Sequence, residues 1–152
     1  MKNLFLGLLF LTTLTSFSQV EWMSDFDEAA KLSQKTKKPI LANFTGSDWC
    51  GWCKVLDREV FNTSEFKTWA KKNVVLLEVD FPRRTKLSAK LKKQNYALQK
   101  AFGVRGYPTI WLFETGKGKN PKKDIVPLGK TGYVKGGAKK WINSIDKYMP
   151  KS

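Results

Sequence analysis

Ile40-Leu41-Ala42-Asn43-Phe44-Thr45-Gly46-Ser47-Asp48-Trp49-Cys50-Gly51-Trp52-Cys53 places an apolar run, a turn and two cysteines in one short stretch. The run from Ile40 to Thr45 suits a strand buried on both faces. Gly46-Ser47-Asp48 supplies residues that turn a chain readily. A helix is expected to start at the first cysteine, with Trp52, Val55, Leu56 and Val60 on its buried side. A buried strand that feeds a helix is the opening unit of an alternating α/β chain.

Toward the N-terminus, Ser24-Asp25-Phe26-Asp27 reads as a capping box with acids in the first helical turn. Trp22, Phe26, Ala29, Ala30 and Ser33 follow at near-helical spacing, and Lys37-Lys38-Pro39 closes that helix. Toward the C-terminus, Asn62 or Thr63 can cap a segment carrying Phe66, Trp69 and Ala70. Val74 to Asp80 is a second buried strand, broken by Phe81-Pro82. Leu87, Leu91, Leu98 and Phe102 form a helical stripe that Gly103 stops. Pro108 to Phe113 is a third strand. A Gly- and Lys-rich loop, Thr115 to Lys123, leads to a short strand at Asp124 to Leu128, placed at a sheet edge by Pro127. Ala138, Trp141, Ile142, Ile145 and Met149 mark a last amphipathic helix. The expected architecture is α/β: a central mixed sheet of about four strands flanked by helices, with an extra N-terminal helix.

The 152 residues, 41% hydrophobic and 13% aromatic, suffice for one domain with one core. Residues 1–18 read as a signal peptide. Lys2 gives a positive start, Leu4 to Leu11 an apolar stretch, and Ser16-Phe17-Ser18 a peptidase-like site. The stretch is well short of the roughly 20 residues that span a bilayer. No cysteine follows it to carry a lipid. Cleavage would leave residues 19–152 as a soluble domain, periplasmic or secreted. The formal charge of +15 drops by one when Lys2 is removed. Its lysines are scattered, as at Lys86, Lys92, Lys117, Lys123, Lys135 and Lys140, with no nucleic-acid motif among them. Solvated faces are therefore expected, and no nucleic-acid partner.

Histidine is absent, which excludes serine–histidine and cysteine–histidine catalytic pairs and every histidine metal site. Two cysteines in an exported chain first suggest a structural disulfide. Closing so short a loop stabilises a fold by only roughly 2 kcal/mol, against about 3 for fifteen residues. Structural zinc wants four ligands, and one cysteine pair supplies two. A metal shared between two chains stays open. The redox reading has a mechanism of its own. Cys50 stands where unpaired backbone N–H groups and the helix dipole favour a thiolate. Cys53 lies one turn further on, within reach of a mixed disulfide formed at Cys50.

These residues resemble the thioredoxin-like superfamily, over roughly Glu21 to Met149. Lys38-Pro39-Ile40-Leu41-Ala42-Asn43-Phe44 looks like its first central strand. Trp49-Cys50-Gly51-Trp52-Cys53 looks like its redox motif, and Phe102 to Ile110 like the segment that carries its cis proline. The resemblance implies a thioredoxin fold and an exported thiol–disulfide oxidoreductase. Cys50 would be the nucleophile and Cys53 the resolving cysteine, the two forming a redox disulfide. Pro108 would be cis. Trp49, Gly51, Trp52, Tyr107 and Pro108 would contact substrate, with the Tyr107 backbone pairing an extended substrate chain. No cofactor is implied. The partners would be protein thiols and disulfides, plus a membrane or exported protein that supplies electrons. The chain is expected to be a monomer.

Two residues depart from the family pattern. The family often holds a buried aspartate near Asn43 that takes the proton of the second cysteine. Asparagine cannot take it, which leaves Asp48 and Lys54 as nearby candidates. Trp52 stands where thioredoxin has proline and disulfide isomerase has histidine. Without that histidine, a reductase or isomerase fits better than a strong oxidase. A non-catalytic binding or assembly module on the same fold, or a metal-handling protein, is the competing reading.

Overall fold

A computed structural model describes residues 21–116 and 124–150. The signal peptide read at 1–18 and most of the Gly/Lys loop lie outside these residues.

The first helix, α1, spans Phe26–Thr36. Its N-cap is Asp25 rather than Ser24: the Asp25 carboxylate accepts from the backbone N–H groups of Asp27 and Glu28. The strand β1 covers Ile40–Thr45 and is buried along its whole length. After the turn come α2, Gly51–Leu56, and a π-helical turn, Asp57–Phe61. Thr63 caps α3, Ser64–Asn73, and β2 follows at Val75–Asp80. Ser88 caps α4, Ala89–Ala101, so Leu87 precedes the helix it was expected to open. The strands β3, Thr109–Thr115, and β4, Ile125–Thr131, lead to α5, Gly137–Asp146, and Met149 packs beyond its end.

The four strands form one mixed sheet in the order β2-β1-β3-β4. β1 runs parallel to β2, in line with a crossover through α2 and α3, and antiparallel to β3. β3 and β4 are antiparallel, with a bulge between Leu112 and Phe113 next to Pro127. Proline at this outer strand removes no ladder bond from the sheet interior. The outer edge of β2 is covered by Met23, which exchanges backbone hydrogen bonds with Leu76 and Glu78.

Strand alternation sends side chains to two cores. Ile40, Ala42 and Phe44 meet Phe26, Ala29 and Ala30 of α1 and Leu98 of α4. Leu41 meets Leu56 of α2, Phe66 of α3 and Trp141 and Ile145 of α5. α4 adds a polar contribution that hydrophobic patterning does not reveal: Gln94 and Asn95 are buried. The Gln94 amide oxygen accepts from the Phe26 N–H and its amide nitrogen donates to the Ser24 carbonyl. Asn95 donates to the Asp80 carbonyl at 2.8 Å, tying α4 to the end of β2. The side-chain oxygen and nitrogen of both Gln94 and Asn95 are thus hydrogen-bonded, as burial demands.

Trp52 corrects the expected buried face of α2, since it is 62% exposed. Cys53, Leu56 and Val60 are the inward residues, at spacings of three and four. One residue earlier on a helix is rotated by about 100°, which carries the Trp52 indole outward.

Candidate active site

The site forms where β1 ends and α2 begins. Gly46 allows the turn because the Trp49 indole lies over it: a Cβ there would stand 2.4 Å from a ring carbon. The backbone N–H groups of Trp49 and Cys50 both donate to the Gly46 carbonyl. Cys50 is the N-cap of α2, and its Sγ accepts from the Cys53 N–H at 3.2 Å. That N–H is one of the donors a helix start leaves unpaired. Cys50 and Cys53 are joined by a disulfide, and each is 6% exposed. Exposure therefore does not rank the two; the cap position does.

The second half of the site comes from β3. Its first residue, Thr109, pairs with Phe44 at the end of β1. The preceding residues are thereby brought to the edge of the sheet from which Cys50 follows. The Tyr107–Pro108 peptide bond is cis. Tyr107 stands edge-on to Trp49 at 5.7 Å, and its hydroxyl shares a hydrogen bond with Gln99. Burial pushes the Tyr107 phenol above its ordinary range. A third wall was not visible in the sequence. Gly132, after β4, lies against the Pro108 carbonyl, 3.4 Å from where a Cβ would sit. The buried Trp141 donates its indole N–H to the Gly132 carbonyl at 2.9 Å and fixes that approach. Next to it, the Tyr133 ring meets Trp52 at 5.2 Å, and its hydroxyl donates to Glu59. That bond raises the Tyr133 pKa and lowers the Glu59 pKa.

Trp49 is held on three sides. Its indole N–H donates to the Phe81 carbonyl at 2.8 Å, Tyr107 meets its edge, and the Arg83 guanidinium lies 4.0 Å from a ring centroid. Asp48 has a positioning task. Its carboxylate accepts from the backbone N–H groups of Arg83, Arg84 and Thr85, and these bonds, Arg83 first, hold its pKa below the usual range. Lys54 donates to the Asp48 carbonyl. Both candidates for the missing proton acceptor thus make contacts away from Cys53.

Asn43 is buried, and its side-chain oxygen has no hydrogen-bond partner. Its register partner on β2 is Glu78, a carboxyl that sequence reading passed over inside an apolar strand. Burial, then the charges of Asp80 and Asp57, pushes the Glu78 pKa up. Among the described residues, no group of three cysteine or acidic side chains is placed to hold a metal ion.

A family model for a thioredoxin-like domain matches residues 26–127. The chain belongs to the thioredoxin-like family of thiol–disulfide oxidoreductases. Among its thioredoxin-like relatives, it is 30% identical over 128 residues to the disulfide bond reductase DsbH of Chlamydia pneumoniae, covering 84% of this chain and 72% of that one. The thioredoxin-related protein DsbJ of the same organism is 27% identical over 113 residues, spanning 74% of this chain but 31% of DsbJ. A solved DsbH oxidoreductase structure superposes with a TM-score of 0.76 at 26% identity, covering 93% of this chain and 92% of that one. The expected thioredoxin fold, with its mixed four-stranded sheet and N-terminal helix, is borne out.

Proposed function

We propose that this chain is an exported reductase of protein disulfides. The observation that carries the reading is the Cys50–Cys53 pair at the cap of α2, across from a cis Tyr107–Pro108 bond. The likeness to a disulfide bond reductase over most of both chains adds to it.

In the reduced protein, the Cys50 thiolate is stabilised by the Cys53 N–H and the start of α2. It attacks one sulfur of a substrate disulfide. The other substrate sulfur leaves as a thiolate and takes a proton, and Cys50 is left in a mixed disulfide. Cys53 then loses its proton and attacks the Cys50 sulfur. The second substrate thiol departs, and the Cys50–Cys53 disulfide forms. Two electrons have passed from the dithiol to the substrate. The backbone at Tyr107 holds the substrate strand, and Pro108, lacking an N–H, does not compete for it. Trp49, Gly51 and Trp52 border the same groove. A dithiol protein, in the membrane or exported, returns the electrons, so no bound cofactor takes part.

Residues 1–18 direct export and are removed, leaving 19–152 as a monomer in the periplasm or outside the cell. N-terminal sequencing of the exported chain should start near Gln19, and an intact Met1 would refute removal.

Reductase is favoured over strong oxidase because Trp52, unlike histidine, offers no positive charge to the Cys50 thiolate. Redox equilibration should therefore give a potential below about −150 mV. Thioredoxin lies near −270 and strong oxidants near −120. A potential above about −150 mV would reverse the direction. Catalysed reduction of insulin is the matching activity assay. A chain inert in it would favour a binding module on the same fold.

A further inference from the structure

A cavity of about 680 Å³ opens beside Trp49 and Tyr107, between the segment after β2 and α4. Its size lies within the roughly 300–1,000 Å³ of sites that enclose a ligand. Its apolar side is a run of rings that starts next to Cys50. Trp49 meets Tyr107 at 5.7 Å, Tyr107 meets Phe81 at 5.3 Å, and Phe81 meets Tyr96 at 5.5 Å. Tyr96 is exposed, so the run ends in solvent rather than in the core.

The other side is cationic. Arg83, Lys86 and Lys92 line it, and among the described residues none of them has a carboxylate within salt-bridge distance. Asp80 is the one carboxylate on the wall, and both of its oxygens already accept from Ser47. The walls are also fixed in place. Asp48 clamps the backbone of Arg83, Arg84 and Thr85, and Asn95 ties α4 to β2. A preformed site loses less freedom on binding than one that must order itself.

We propose that this cavity receives the segment of the substrate protein next to its target cysteine, and selects segments in which an apolar side chain is flanked by Asp or Glu. The inference rests on the oxidoreductase reading above and names its substrate class. Trp49 and Tyr107 belong both to the cavity and to the surroundings of the dithiol, so a chain that reaches Cys50 continues along the rings. An apolar side chain of that segment lies on Phe81 and Tyr96, and its carboxylates face Arg83, Lys86 and Lys92. Opposite charge raises the encounter rate and rejects basic competitors.

The test uses the full chain, reduced, and two short labelled peptides with serine in place of cysteine. One carries leucine among Asp and Glu, and the other carries leucine among Lys and Asn. Fluorescence anisotropy should show the acidic peptide binding about tenfold tighter at low salt, with the advantage shrinking as salt is added. The double variant Lys86→Glu, Lys92→Glu should abolish or invert that preference. Tyr96→Ala should weaken the acidic peptide without restoring the basic one. Equal affinities for the two peptides, or a double variant that weakens both alike, would overturn the proposal. The cysteine-containing versions, offered as disulfides, separate this inference from the reading beneath it. Acidic-selective binding without reduction of either peptide sinks the reductase and keeps the docking site. Equal binding with equal reduction does the reverse.

Discussion

The Asn43 side chain ends in a buried oxygen with no partner, and its neighbour across the parallel pair is Glu78. Side chains in register share one face of a sheet, so the carboxyl nearest Asn43 across the pair stands on β2 instead of β1. Burial raises the folded pKa of Glu78 above its ordinary 4.5. Ionisation therefore opposes folding: the group costs nothing below its unfolded pKa, and stability falls as pH rises through the raised folded value. Glu78→Gln should make the protein more stable at pH 7 and leave it unchanged near pH 4. Urea unfolding at the two pH values checks this, and an equal difference at both would contradict it. Asn43→Asp adds a proton acceptor beside that carboxyl. It should speed the step in which Cys53 resolves the mixed disulfide, at a stability cost of about 1–3 kcal/mol. A pH–rate profile identical to the parent's would refute the role. The absence of aspartate at position 43 was legible in the sequence. Glu78 was not, because strand pairing, not sequence distance, brings it to Asn43.

Helix α2 shows what an element adds. Its start was legible, since a buried strand, a Gly-Ser-Asp turn and two cysteines leave little choice of place. Its inward face was misjudged at Trp52, because on a short helix one residue of phase decides which side is buried. The π-helical turn that follows has no local signature in the sequence. The segment after β2 depends on Asp48, whose carboxylate accepts from three backbone N–H groups. Asp48→Ala should speed amide hydrogen exchange at Arg83, Arg84 and Thr85 and leave α5 unaffected; unchanged exchange at those amides would remove the clamp from the account. The depressed pKa of Asp48 gives a second readout. Its contribution holds above the ordinary carboxylate range and fades as pH falls through the lowered value. The extra exchange caused by Asp48→Ala should therefore shrink in acid.

Across the whole molecule, two cores hold three segments together at one end of the sheet. Trp141 links core to site, since its ring is fully buried and its N–H holds the Gly132 carbonyl. Trp141→Ala should cost about 3–5 kcal/mol, read as a lower urea midpoint, and should loosen the wall next to Pro108. The order of strands and helices, and the mixed sheet, followed from apolar runs, glycines and prolines. The surface that surrounds the dithiol did not, because Arg83, Tyr133 and Gly132 meet the site only through tertiary packing. Trapping separates the roles proposed for Cys50 and Cys53. Full chain carrying Cys53→Ser, exposed to an oxidised protein substrate, should retain that substrate as a stable mixed disulfide on Cys50, seen as a mass shift that dithiothreitol reverses. Cys50→Ser should retain none. No adduct on Cys50, or an equal adduct on Cys53 in the reciprocal variant, would contradict the account.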